Sequence, residues 1–156
     1  MWSINNFFDN EKCESLINFH KENFDNLLSN ELSNYHDLTE VIQFFNLQNV
    51  DLSKQIAADI TCHVRQINTK AFINYFQIVK WSNGSYQNEH LDFPEHILTS
   101  IIYLNDDYEG GETVVGDKII KPEKGKIITF QGNEIKHKVN QITKGVRYTV
   151  PVWYKN

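Results

Sequence analysis

Residues 97–130 read ILTSIIYLNDDYEGGETVVGDKIIKPEKGKIITF, in which short apolar runs alternate with turn-forming residues. Runs rich in Ile, Val, Thr, Tyr and Phe are typical of β-strands, whereas Gly, Pro, Asn and Asp are typical of turns. The same pattern extends to AFINYFQIVKW (71–81), HKVNQI (137–142) and VRYTVPVWY (146–154). Many short strands with frequent turns favour an antiparallel sandwich or barrel over a parallel sheet.

The residues before this region follow a helical pattern. Two apolar stripes recur every three or four residues, the first starting after a potential capping residue, Asp9. The first stripe is Cys13, Leu16, Ile17, His20, Phe24, Leu27 and Leu28; the second is Leu52, Ile56, Ile60, Val64 and Ile67, with Asn49 and Asp51 as candidate caps. We therefore expect an α+β, mainly β, single domain (1–156), in which a helical prelude (1–68) backs a β-barrel core (69–156).

Composition narrows the possible classes of protein. With 156 residues, 40% of them hydrophobic, the chain can build a real core and is not disordered. The formal net charge of −5 argues against nucleic acid as a partner. We find neither a signal peptide nor a membrane segment and expect a cytoplasmic protein, in which the distant Cys13 and Cys62 are small core residues.

The stretch NEHLDFPEH (88–96) contains a possible pair of metal ligands. On a strand, His90 and Asp92 would project from the same face, although a solvated acidic loop is the commoner meaning of such a stretch. His137, which begins another alternating run, could reach the same point from a distant strand of a barrel. Two histidines and one carboxylate would suit Fe(II) with three open positions, but they would also suit a hydrolytic zinc site.

Arg147 is one of only two arginines, beside thirteen lysines. It follows His137 by ten residues, and the turn-like NQITKG (140–145) between them predicts two neighbouring antiparallel strands. A guanidinium inside the barrel could bind the far end of a dicarboxylate whose near end chelates iron. The alternative is a surface arginine on an edge strand. Counting by twos along the last strand places Thr149, Pro151 and Trp153 on the face of Arg147.

Together, His90-x-Asp92, His137 and Arg147 within GVRY resemble the Fe(II)/2-oxoglutarate-dependent dioxygenases. The run IIYLNDDYEGGETVV (101–115), followed by PEKGKIITF (122–130) and VPVWY (150–154), is similar to the prolyl 4-hydroxylase branch of that family. The resemblance covers about Phe72 to Tyr154 and implies a double-stranded β-helix, or jelly-roll barrel. The helices before it match only as a general helical prelude.

The resemblance also implies roles for individual residues. His90, Asp92 and His137 would bind iron, and Arg147 would hold the distal carboxylate of 2-oxoglutarate. Further contacts implied at the site involve four aromatic residues: Tyr103 and Trp81 for the cosubstrate, Tyr86 and Trp153 for the substrate. Tyr103 could equally be a core aromatic, and Trp81 departs from the family pattern, which has Tyr there.

The family implies Fe(II), 2-oxoglutarate and O2, with ascorbate to restore oxidised iron. The expected reaction is hydroxylation of a proline in a peptide or protein. The alternatives are hydroxylation of a free amino acid or another side chain, and a non-catalytic metal-binding barrel that recognises peptides. We expect His96 to be no ligand, because its spacing of four from Asp92 does not suit a strand, and the helical-region histidines (His20, His36 and His63) to be structural or solvent-facing.

Overall fold

The computed structural model describes residues 1–25, 38–47 and 50–156. Within these ranges the chain forms two α-helices, a single 3-10 turn (Phe44–Asn46) and thirteen β-strands. The helices are α1 (Asn10–Asn23) and α2 (Asp51–Ile67). The strands are β1 (Trp2–Ile4), β2 (Thr39–Ile42), β3 (Phe72–Phe76), β4 (Ile78–Trp81), β5 (Gln87–His90), β6 (Leu98–Tyr103), β7 (Glu109–Gly110), β8 (Thr113–Val115), β9 (Lys118–Ile120), β10 (Ile127–Phe130), β11 (His137–Val139), β12 (Ile142–Lys144) and β13 (Arg147–Lys155).

Both predicted helices are present. Asp9 caps α1 as expected, since its carboxylate accepts a 2.8 Å hydrogen bond from the backbone N–H of Lys12. The prediction that Asp51 caps α2 is wrong: Val50 is the N-cap, and Asp51 is the first helical residue, where its charge still favours the positive end of the helix dipole. Four residues of the helical predictions lie outside the described ranges: Leu27, Leu28, His36 and Asn49.

The strands form two antiparallel sheets that enclose the cavity described below, the jelly-roll architecture that the sequence predicts. The larger sheet has the order β1-β10-β6-β13-β4-β2, with β3 also paired to β13, and the smaller sheet has the order β5-β11-β8-β9. A separate two-stranded pair joins β12 to β7. The prelude is not purely helical, because β1 pairs with β10 and β2 pairs with β4 at the two ends of the larger sheet.

Strand β13 divides the interior into two compartments. Its side chains alternate in direction, as on any strand. One face, formed by Tyr148, Val150, Val152 and Tyr154, packs into the main apolar core with the helices. The opposite face, formed by Arg147, Thr149, Pro151 and Trp153, lines the cavity between the sheets, as the sequence predicts.

A proline in the middle of β13 explains why AFINYFQIVKW forms two strands rather than one. Pro151 has no N–H to donate to a neighbouring strand. Opposite Pro151, the segment that pairs with β13 is interrupted at Gln77. Only one hydrogen bond remains there, from the Gln77 N–H to the Pro151 carbonyl at 3.2 Å. The break turns Gln77 into the cavity wall.

One of the two cysteines is not in the core, although the sequence predicted both to be there. Cys13 is buried, as predicted, but Cys62 is exposed, so its assignment to the core is wrong. Burial raises the pKa of the Cys13 thiol to about 11. Neither helix in the described ranges is long and apolar enough to cross a bilayer.

Candidate active site

His90, Asp92 and His137 converge on one point at the wall of the cavity. One potential ligand atom from each residue lies within 4.8 Å of the other two. The Nε2 atoms of His90 and His137 lie 3.8 Å and 3.6 Å from Asp92 Oδ1, so this oxygen is the one that faces the two rings. The structure therefore brings the three predicted metal ligands together.

The backbone fixes which nitrogen of each histidine is available. His90 Nδ1 lies 2.8 Å from the carbonyl oxygen of Asn88, and His137 Nδ1 lies 3.0 Å from that of Ile135. A carbonyl oxygen only accepts hydrogen bonds, so each Nδ1 carries the proton and each Nε2 presents its lone pair to the site. Such contacts orient metal-binding imidazoles and fix their tautomer.

Asp92 is held from behind by two close neighbours. Thr99 donates a hydrogen bond to Oδ2, the oxygen that faces away from the imidazoles, and the Asp92 backbone N–H donates to the Gly132 carbonyl at 2.9 Å. Burial raises the pKa of Asp92, but the Thr99 hydroxyl and, when its ring carries both protons, His137 outweigh it, so the pKa lies below its usual value. The side chain is therefore a fixed, charged oxygen donor.

The strand geometry behind this cluster differs from expectation in two ways. His90 and His137 do not meet across the barrel interior, because they are directly paired residues of the adjacent strands β5 and β11. Asp92 is not on the same strand as His90, because β5 ends at His90. The Asp92 carboxylate approaches the two imidazoles from a loop, which hydrogen bonds with Gly132 and Thr99 hold in place.

Arg147 lies in the opposite sheet. The prediction that its strand neighbours that of His137 is wrong: β11 pairs with β5 and β8, whereas β13 pairs with β3, β4 and β6. The sequence HKVNQI, expected to be one strand, breaks into β11 and β12 and carries the chain from one sheet towards the other. Arg147 therefore faces the cluster of His90, Asp92 and His137 across the cavity.

The Arg147 guanidinium is buried and incompletely paired. The residue is 1% exposed. Its Nη2 donates to Thr113 Oγ1 at 3.0 Å, while Nε and Nη1 have no hydrogen-bond partner among the described residues. No ion pair joins it to a carboxylate within that part of the chain. An unpaired buried charge is expensive, so this cation fits an anion supplied by a ligand.

Aromatic rings and one threonine hold the guanidinium in place. The Trp81 ring centroid lies 4.8 Å from Arg147 Cζ and that of Tyr103 lies 5.8 Å away. Tyr103 is fully buried and donates to Thr113 Oγ1 at 2.8 Å, and burial raises its pKa, so it stays a neutral donor. The Trp81 indole N–H donates to Thr149 at 3.1 Å. The rings of Trp81 and Tyr103 thus both pack against the Arg147 guanidinium.

Thr113 is a site residue that the sequence reasoning missed. Its Oγ1 accepts hydrogen bonds from both Tyr103 and Arg147, which leaves its own proton free to be donated, and its side chain lines the cavity. The available signal was its position in the ETVV run, two residues after the Gly-Gly turn.

The cavity between the sheets has a volume of about 360 Å³, which is in the range of small-molecule sites. It is lined by the metal cluster, Arg147, Thr113, Trp81 and Trp153, but not by Tyr86, which is 38% exposed. His96 is absent from the metal cluster, as expected, yet it lines the cavity wall. Two other histidines, His20 and His63, are buried and hydrogen-bonded away from the cavity.

A family model described as the 2OG-Fe(II) oxygenase superfamily matches residues 76–155, about half of the chain. The chain belongs to the 2OG-Fe(II) oxygenase superfamily. The superfamily implies Fe(II), 2-oxoglutarate and O2. The residues present fit that set, because two imidazole nitrogens and a carboxylate oxygen leave three adjacent positions on Fe(II), and the unpaired Arg147 atoms suit a carboxylate.

Curated relatives of this chain are named as hydroxylases. Human prolyl 3-hydroxylase 2 is 38% identical over 64 residues, which are 36% of this chain and 9% of the human protein. A PKHD-type hydroxylase of Pseudomonas putida strain W619 is 36% identical over 69 residues, which are 38% of this chain and 30% of that protein. The matched segments are thus less than a third of either relative.

A solved structure shares the fold over nearly the whole chain. The crystal structure of a Pseudomonas putida prolyl-4-hydroxylase has a TM-score of 0.79 at 15% identity, and the match covers 99% of this chain and 91% of that one. The likeness extends over the N-terminal helices as well as the barrel.

Proposed function

We propose that this oxygenase is an Fe(II)- and 2-oxoglutarate-dependent dioxygenase that hydroxylates a proline within a peptide, with residues 1–156 as its catalytic domain. The observation that carries the proposal is the buried Arg147, whose Nε and Nη1 have no partner in the described part of the chain and which faces the His90–Asp92–His137 cluster across one cavity. A ligand that binds a metal at one end and carries a carboxylate at the other would match both the three-residue cluster and the Arg147 guanidinium.

The metal cluster would hold Fe(II) through His90 Nε2, His137 Nε2 and Asp92 Oδ1. When bound, the iron supplies the oxidising chemistry, and the protein supplies orientation. The hydrogen bonds to Asn88 O and Ile135 O keep both imidazoles in the ligating tautomer. Ascorbate would restore activity after oxidation of the iron without substrate.

The distal carboxylate of 2-oxoglutarate would be bound at Arg147. Two guanidinium nitrogens, Nε and Nη1, have no partner among the described residues and could donate to it, and the Thr113 hydroxyl could donate as well. Charge-assisted contacts of this kind are stronger than neutral ones and fix the orientation of a planar acid. Trp81 and Tyr103 exclude water from the faces of the guanidinium.

Proline suits the aromatic part of the cavity wall. Trp153 lines the cavity and stacks on Tyr75, with ring centroids 4.7 Å apart. A proline ring can pack its apolar face against such a surface, and a proline-containing peptide is already extended. Two of the similar proteins carry prolyl hydroxylase in their names, one for position 3 and one for position 4. Of the two, we propose position 4. Tyr86, which is exposed and precedes the cavity-lining Gln87 in the sequence, would contact the rest of the peptide.

The deciding experiment measures succinate formed from 2-oxoglutarate, with O2 and Fe(II), in the presence of proline peptides, other peptides and free amino acids. We expect stimulation by proline peptides and a mass gain of about 16 Da on the proline, the mass of one oxygen atom. Arg147→Ala should raise the KM for 2-oxoglutarate about tenfold to several hundredfold and leave Mn(II) affinity unchanged.

Controls separate the parts of the proposal. His137→Ala should abolish turnover in a folded protein, because strand pairing does not depend on this side chain. Stimulation by a free amino acid alone would move the assignment to the alternative substrate class. Equal effects of Arg147→Ala on metal and cosubstrate would mean that Arg147 has a structural role.

A further inference from the structure

His96 is a buried polar side chain in the cavity wall that the proposed chemistry does not use. It lies in the short loop between Asp92 and β6 and is 2% exposed. Its Nε2 lies 3.0 Å from Asn74 Nδ2, while its Nδ1 is buried and has no hydrogen-bond partner within residues 1–25, 38–47 and 50–156.

The contact with Asn74 determines which nitrogen carries the proton. The amide nitrogen of Asn74 donates, so His96 Nε2 accepts, and the neutral ring carries its proton on Nδ1. Burial lowers the pKa of His96 and so favours the neutral ring. A buried N–H without an acceptor costs free energy, and a ligand that supplies an acceptor recovers it.

The rings around His96 are aromatic, and the charges of Asp92, Glu95 and Lys155 also act on it. The ring centroids of Tyr75, Phe93 and Trp153 lie 5.6, 5.8 and 6.3 Å from that of His96. Among the described residues that line the cavity, Asp92 is the only carboxylate, and it belongs to the metal cluster. Glu95, next to His96, is exposed and pairs with Lys155 at 3.9 Å, so the α-ammonium group of a free amino acid would find no unengaged carboxylate in the cavity, whereas a neutral carbonyl oxygen would find a donor.

We propose that His96 is a specificity-determining residue, which donates a hydrogen bond from Nδ1 to a backbone carbonyl oxygen of a peptide substrate whose neighbouring side chain packs against Trp153. The proposal deepens the proposed function, on which it rests for the reaction, but the binding contact can be measured without turnover. The contact favours peptides over free amino acids, because a peptide bond replaces the charged α-ammonium group with a neutral amide.

The test compares three substitutions that separate the two ring nitrogens. In Asn, the amide nitrogen is attached to Cγ, as Nδ1 is in His, so His96→Asn keeps a donor near the Nδ1 position. His96→Gln extends the amide by one carbon to the region of Nε2, and His96→Phe keeps the ring without either nitrogen. The probe is acetyl-Ala-Pro-Ala-Pro-Ala-amide, titrated by calorimetry into protein with Mn(II) and 2-oxoglutarate under argon.

We expect wild type and His96→Asn to bind the probe with similar affinity, and His96→Gln and His96→Phe to bind it about 5- to 100-fold more weakly. Mn(II) affinity and the thermal midpoint should stay unchanged. Equal affinity in all four proteins, equal weakening of Asn and Gln variants, or no binding of the probe by wild type would each overturn the proposal. Peptide binding that depends on His96 without any succinate formation would instead contradict the proposed function alone.

Discussion

Gly132 lies directly against the carboxylate of Asp92, and a methyl group there should disrupt metal binding. A Cβ atom on Gly132 would lie 2.1 Å from Asp92 Oδ2 and 2.3 Å from Thr99 Oγ1, whereas ordinary van der Waals contact begins at 3.4 Å. The carboxylate oxygen would have to move by 3.4 − 2.1 = 1.3 Å. Functional metal sites tolerate about 0.2 Å in their ligand distances, so Gly132→Ala should remove Asp92 from the coordination sphere.

The expected loss is large. Changes to residues behind the ligands alone cost about 10- to 100-fold in metal affinity, so displacement of a ligand should cost at least ~100-fold, or about 2.8 kcal/mol. Calorimetric titration with Mn(II) measures the dissociation constant, and circular dichroism reports whether the barrel is folded.

A matched control distinguishes loss of the site from loss of stability. At Gly116 a Cβ would meet only Ile135 Cγ2, at 3.5 Å, but the backbone φ of 60° strains any other residue. Gly116→Ala should therefore lower the thermal midpoint and leave the Mn(II) dissociation constant unchanged. Wild-type Mn(II) affinity in Gly132→Ala would refute the placement of the carboxylate.

Three further predictions concern other parts of the chain. Trp81→Leu removes the aromatic face beneath the guanidinium and should raise the KM for 2-oxoglutarate about 3- to 30-fold, whereas Trp81→Tyr keeps a face and should be tolerated. Iodoacetamide should modify the exposed Cys62 in the folded protein but spare Cys13, whose burial raises its pKa to about 11; mass spectrometry of peptides detects this. Burial lowers the pKa of His20 and His63 below 6.5, so the unfolded state binds protons more readily than the folded state. Their contribution to the free energy of unfolding is therefore present above about pH 6.5 and is lost as the pH falls through the folded-state pKa. Denaturant titrations at a series of pH values should show a smaller loss of stability on acidification in His63→Gln than in wild type.

The sequence was sufficient to select the three residues that the structure brings together and the buried Arg147, because residue type and order along the chain carry that signal; their roles as metal ligands and as carboxylate-binding residue stay predictions. Trp153 could be placed in the cavity by counting from Arg147, since β13 is a long, regular strand. Asp92 was predicted correctly as a member of the cluster, although a loop rather than a strand carries it.

Strand partners could not be predicted in the same way. The pairing of β11 with β5 rather than β13 depends on contacts between residues that are distant in sequence, whereas the turn-like residues between His137 and Arg147 gave only a local signal. His96 was judged only as a possible metal ligand. Its role in the cavity wall depends on the short loop that folds it back over Asn74 and Trp153, which periodicity does not reveal.

The division of the site between two sheets has a mechanical consequence. The cluster of His90, Asp92 and His137 belongs to the smaller sheet and its flanking loop, and Arg147 belongs to the larger sheet. A dicarboxylate that binds the three-residue cluster at one end and Arg147 at the other would link the two sheets non-covalently, and its length would set the distance between them. In thermal unfolding experiments, metal and 2-oxoglutarate together should therefore raise the melting temperature by more than the sum of their separate effects. A monocarboxylate, which can contact only one of the two sheets, should not show this excess.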